Sequence, residues 1–176
     1  MIRKQNIVLV ALAVVLTAGW TYPNANSDLG QRIHREIATI PNASIWDWIE
    51  ADVQTDGSVV LRGDVTRPTI KDDAEHRLKH LEGVTSVTDD IKVLPLSSFD
   101  DQIRLAVYRS LFNRNSTLNL YAMGANPSIH IIVDNGTVTL KGIVANAMDR
   151  QIAGMAANGV SGVLKVENDL QLASRS

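Results

Sequence analysis

The chain has 176 residues, 45% hydrophobic and 20% charged, with 17 basic against 19 acidic side chains. Those fractions are those of a globular protein, and the length alone suggests one domain. Zero cysteines exclude a disulfide scaffold, thiolate zinc or Fe–S sites, a cysteine nucleophile and a lipidated N-terminal cysteine, and near-neutral charge argues against nucleic acid as a partner.

In chain order, Arg3 and Lys4 precede an uncharged apolar run from Ile7 to Leu16 that continues through Ala18 and Gly19. A basic start followed by about 7–15 apolar residues is an export signal, and a spanning helix would want about 20. Residues 1–26 are therefore expected to be a signal peptide, cleaved or retained as an N-terminal anchor. Without Arg3 and Lys4 the body carries 15 basic against 19 acidic residues, a net −4.

Leu29, Ile33 and Ile37 then recur at helical spacing. Trp48 to Gln54 is a short strand candidate, and Asp56-Gly57 is the strongest local hairpin signal, since a tight turn of that kind wants positive φ at both central residues. The return strand alternates Val59-x-Leu61-x-Gly63, and Gly63 suits a bulge or a close backbone approach. Pro68 suits a first helical turn, with Ile70, Ala74, Leu78 and Leu81 as the inner stripe and Gly83 as an αL cap. Val84 and Val87 lead into a last strand ending at Val93, and Pro95 to Ser98 is a short linker.

The same reading then repeats. Ile103, Val107 and Leu111 form the helix stripe, Ser128 to Val133 the first strand, Asn135-Gly136 the hairpin and Val138-x-Leu140-x-Gly142 the return strand. Asn146 with Asp149 resembles a capping box, Gly162 closes the helix, and a last strand runs to Leu172. Residues 56–93 superpose on 135–172 at a constant shift of 79, with ten identities that include Gly57/Gly136, Gly63/Gly142 and Gly83/Gly162. The expected fold is α+β: two tandem α-β-β-α-β modules, each a three-stranded mixed sheet covered by two helices, over 27–95 and 96–176.

Gly57-Ser-Val-Val-Leu-Arg-Gly63-Asp-Val65 with Gly83-Val84, and Gly136-Thr-Val-Thr-Leu-Lys-Gly142-Ile-Val144 with Gly162-Val163, resemble the BON domain, a bacterial envelope module. The resemblance covers nearly all of 28–172. Dual-BON proteins with a signal sequence are periplasmic, so the resemblance implies that location. It also implies phospholipid binding, envelope integrity, a link to osmotic stress, and no enzymatic role or cofactor. Lacking cysteine, the chain is similar to the non-lipoprotein members.

Charge divides unevenly: 27–95 carries 13 acidic and 8 basic residues, net −5, and 96–176 carries 6 and 7, net +1. An anionic membrane would repel the first module and tolerate the second. The first helix of the second module also carries a second stripe, Leu105, Tyr108, Arg109 and Phe112, about 150° from the inner one. Arg114, Leu118, Leu120, Tyr121 and Met123 follow it. Apolar and aromatic groups with interspersed arginine suit a peripheral phospholipid interface. The same stripe could instead pack on the first module, which needs no ligand, or serve a homodimer or an envelope-protein partner, as a chaperone-like module would.

Other candidates are weaker. His76 and His80 could share a metal, but with no third ligand evident a solvated face is the better reading. Trp46 and Trp48 suit core or interdomain packing, and Asp89-Asp90 and Asp100-Asp101 suit turn and helix-dipole roles. Nothing resembles a nucleophile–base pair, a HExxH helix or a P-loop, so no metal, cofactor or catalysis is expected.

Overall fold

The computed structural model describes residues 25–123 and 127–173. Almost all of the expected export segment lies outside the described residues. No helix among the described residues is long and apolar enough to cross a membrane.

The first module runs α1 (Ala25–Ala38), β1 (Trp48–Val53), β2 (Ser58–Val65), α2 (Pro68–Lys79) and β3 (Ser86–Val93). Its sheet has the order β1-β2-β3, antiparallel then parallel. Alternation sends Val59, Leu61 and Val65 under the helices, where they meet Leu29, Ile33, Ile70, Ala74 and Leu78. The second module runs α3 (Ser98–Leu111), a 3-10 helix η1 (Thr117–Ala122), β4 (Ile129–Asp134), β5 (Thr137–Val144), α4 (Ala147–Asn158), β6 (Lys165–Asn168) and β7 (Gln171–Leu172). Ile103, Val107 and Leu111 pack there on Ile129, Ile131, Val133, Val138 and Leu140.

The repeated glycines explain themselves. A Cβ at Gly63 would lie 2.0 Å from the Trp48 carbonyl oxygen, and one at Gly142 would lie 2.0 Å from that of Ser128. The close approach expected there is present in both copies. The hairpins differ. Asn135 and Gly136 both have positive φ, at 49° and 75°, as a two-residue turn requires. In the first module only Gly57 does, at 82°, because the loop is longer. Gly57 N–H bonds the Gln54 carbonyl at 3.1 Å, and Asp56 accepts from Ser58 N–H at 2.9 Å, a side-chain turn that spares Asp56 the left-handed region.

Two further expectations are corrected. Gly83 and Gly162 have positive φ but do not cap the helices, which end earlier, at Lys79 and Asn158. The glycines instead turn the chain towards the last strand, just before which the Thr85 and Leu164 amides bond the hairpin carbonyls of Gly57 and Gly136 at 3.0 and 2.9 Å. The last strand of the second module is broken: Asp169 N–H bonds the Leu140 carbonyl, and β6 and β7 pair with β5 separately. That sheet is therefore counted as four strands.

Candidate membrane-facing helix and the cleft between the modules

Helix α3 starts where Ser97 accepts the Asp100 amide at 3.1 Å. Asp100 is itself buried, and its two carboxylate oxygens accept the hairpin amides of Asn135 at 3.1 Å and Gly136 at 2.9 Å. One turn on, Arg104 is buried too, donating to the Val133 carbonyl at 2.7 Å and to Asp101 at 2.5 Å. Sequence reasoning assigned neither residue this role, although the signal was present. At about 100° per residue, Asp100 lies within the arc of Ile103, Val107 and Leu111, and Arg104 about 20° beyond it.

The second stripe is divided. Leu105 is 49% exposed, Tyr108 37% exposed, and Arg109 is exposed beside them. Phe112 is half-buried against the module's own core, 5.1 Å from the Tyr108 ring. Tyr108 also meets Trp46 edge-on at 5.8 Å. In the following turn Leu118 is buried, while Leu120 and Met123 are 76% and 67% exposed. Tyr121 is tied inward: its hydroxyl donates to Asp149 at 2.6 Å and accepts the Ala145 amide at 2.9 Å. That leaves Leu105, Tyr108, Arg109, Arg114, Leu120 and Met123 outward, and neither arginine is in an ion pair among the described residues. His76 and His80 stack at 4.4 Å, and no group of three metal-ligating side chains exists among the described residues.

The modules meet through the sheet faces that carry no helix. Trp48 on β1 packs edge-on against His130 on β4 at 5.0 Å, and Lys92 on β3 pairs with Asp134 on β4 at 2.5 Å. Ile132 points away from its own core, yet is only 3% exposed. Interdomain packing is thus the role of both tryptophans, although Trp46 lies before β1 and does not share its face. Residues 43–47 cross between modules, and Ile45 buries its side chain in the core of the second. Asp47 pins that crossing, with Oδ2 accepting from Ser44 N–H and hydroxyl and Oδ1 from Thr66 N–H and hydroxyl at 2.6–2.9 Å.

Electrostatics in the interface follow from the packing. Burial pushes the Asp64 carboxyl up, and Lys92 and Lys141 only partly restrain it. Burial would lower Lys141, but Asp169 at 3.0 Å, with Glu50 and Asp64 beyond it, holds its pKa above the ordinary value. Burial lowers His130, whose Nδ1 has no hydrogen-bonding partner among the described residues. The nearby backbone of Asp47, Pro127 and Ser44 offsets that only in part.

The BON domain family model matches residues 27–95 and 100–174, most of the chain. The chain belongs to the BON-domain family. No curated protein matches its sequence. Among solved structures it is similar to CdsD, a structural protein of the type III secretion system of Chlamydia trachomatis. The C-terminal domain of that protein is 15% identical, with 84% of this chain and 98% of that one covered and a TM-score of 0.34. A second structure of CdsD gives 15%, 85%, 94% and 0.34. A likeness at that level says nothing of function. Within the BON family, this chain's two copies differ in surface: every large hydrophobic side chain exposed among the described residues lies beyond residue 95, eleven in all.

Proposed function

We propose that this BON protein is a non-enzymatic envelope protein, exported to the periplasm by its first 26 residues, that binds anionic phospholipid surfaces through its second module. The family's association with phospholipid and envelope stress points that way. The observation that carries the reading is the outward set on α3 and η1: Leu105, Tyr108, Leu120 and Met123 beside Arg109 and Arg114. Apolar side chains sink to the headgroup boundary, and guanidinium groups pair with phosphate. The −5 first module is repelled from the same surface, so charge also sets the orientation.

Co-sedimentation with phosphatidylglycerol vesicles tests this, using the chain from residue 25 onward so that the apolar run before it contributes nothing. Each basic group near an anionic surface is worth about 1 kcal/mol, so Arg109→Glu with Arg114→Glu weakens binding by about 30-fold or more. Leu105→Ser with Tyr108→Ser lowers it further at unchanged salt dependence. Equal binding by all these folded variants sinks the assignment, as does capture of unfolded clients by a chain that ignores the vesicles.

A further inference from the structure

β1 is the edge strand of the first sheet. The Gln54 amide bonds the Ser58 carbonyl at 2.8 Å, which sets the phase of the antiparallel ladder: even-numbered residues of β1 bond β2. The amides and carbonyls of Ile49, Ala51 and Val53 therefore point away from the sheet. In the second module the corresponding edge is closed. Ile131 N–H bonds the Ile45 carbonyl at 2.8 Å, and the Val133 carbonyl accepts Arg104 at 2.7 Å. Ile131 and Val133 pair with Leu140 and Val138, as Ala51 and Val53 pair with Leu61 and Val59, so the positions correspond.

Among the described residues neither closure is repeated in the first module. The helix stripes align Leu29, Ile33 and Ile37 with Ile103, Val107 and Leu111, which places Gly30 where Arg104 stands. A Cβ at Gly30 would meet nothing within 4 Å. The space beside it is a cleft of about 930 Å³ that runs along all of β1, with Ile33 and Ile37 on the α1 side and His130, Lys141 and Ile143 across from it.

We propose that the open edge of β1 takes up an extended polypeptide segment in which apolar residues alternate with lysine or arginine. This goes beyond the lipid reading and does not depend on it. Strand addition satisfies the outward backbone groups, and alternate side chains reach opposite faces. The module-two edge shows what such an edge accepts: Ile45 offers its carbonyl to the strand and its side chain to the core. At β1 the inward side chains of an added strand meet half-buried Ile37 and the open space beside Gly30. Its outward ones meet Glu50 and Asp52, both exposed. Asp47 is spent on Ser44 and Thr66, Asp169 on Lys141, and Asp52 shares Arg62 loosely at 3.6 Å. Glu50 accepts the Trp48 indole N–H at 2.7 Å but has no cation within 4.0 Å among the described residues, so its charge is left for a basic strand.

The test is anisotropy of a labelled peptide alternating lysine and valine over about seven residues, close to the length of β1, against the full chain without lipid. A glutamate–valine peptide is the control and binds about tenfold more weakly or worse. Ala51→Pro removes an outward amide at an edge position that tolerates proline, and weakens the lysine peptide about tenfold. Glu50→Lys with Asp52→Lys reverses the preference between the two peptides. Amide exchange on the unmodified chain decides even where a variant is poorly folded: the lysine peptide slows exchange at Ile49, Ala51 and Val53. No binding, binding that leaves those three amides unprotected, or equal binding by folded Ala51→Pro overturns the proposal. Vesicle binding by Ala51→Pro stays at the unmodified level, so the lipid reading fails or stands separately.

Discussion

The two modules share a backbone plan and differ in what they do with their edges and surfaces. The second closes its sheet with a buried arginine and a segment borrowed from the first, and then exposes its large apolar side chains. The first leaves β1 open, exposes no large hydrophobic side chain among the described residues, and carries the negative charge. Duplication kept the glycines and valines that make the fold, and it left the outward faces free to diverge. The lesson is that a repeat detected by its buried positions says little about which copy works on which partner.

The sharpest way to break the comparison is to ask which module owns Ile45. In sequence it belongs to the first, yet its side chain lies in the second core. Ile45→Ala should cost about 2–5 kcal/mol, and the loss should fall on the second module. Amide exchange checks this: Val138 and Leu140 should lose protection while Leu61 keeps its own. Equal loosening of both sheets would show the modules to be one cooperative unit.

Next in size is Asp100→Ala. It strips acceptors from the Asn135 and Gly136 amides beneath a buried carboxylate, and unsatisfied buried donors cost about 1–3 kcal/mol. Thermal unfolding should show the second module melting first. Asp56→Ala at the first hairpin should do much less, because that carboxylate stands in solvent.

Much of this architecture was legible beforehand. Strict alternation through Val138, Leu140 and Gly142, and the two-residue Asn135-Gly136 turn, specified strand, face and register together. The glycine approaches at Gly63 and Gly142 were legible because no other residue fits there. The helix ends were not, since Gly83 and Gly162 carry the positive φ of a cap while serving a turn beyond it. In the candidate site, Leu105, Tyr108 and Arg109 face outward as their helical positions imply. Tyr121 does not, because its partner Asp149 lies 28 residues away and no local pattern announces it. Arg104 was missed because a charged side chain on an inner face reads as noise until its carbonyl partner is seen. The open edge of β1 could not be read at all, since it is defined by what the other copy places against its own.

His130 offers a gentler probe of the contact between modules. Burial lowers its pKa below the ordinary 6.5, so the unfolded chain binds the proton more readily than the folded one. Stability contributed by this group is therefore full above about pH 6.5 and is lost as pH falls from there towards the lowered value. Trp48 fluorescence and unfolding followed between pH 7.5 and 5 should report a weakening that His130→Phe abolishes. A loss equal in both chains would assign it to other groups.

The smallest effect compares two glycines inside helices. Gly30 in α1 has open space where a methyl group would stand, so Gly30→Ala gains helix propensity without a clash, about 0.5–1 kcal/mol. For a module of this size that is a rise of roughly 2–8 °C in Tm. Gly154 in α4 is different: its Cβ would lie 2.7 Å from Asn168 Nδ2, whose amide also bonds the Arg150 carbonyl at 2.8 Å. Gly154→Ala must push that side chain aside and should gain nothing or lose. If both substitutions raise Tm equally, the space beside Gly30 is not special, and the openness of the first module's edge loses one of its supports. If only Gly30→Ala does, the open space left where the second module has Arg104 is a property of the folded protein in solution.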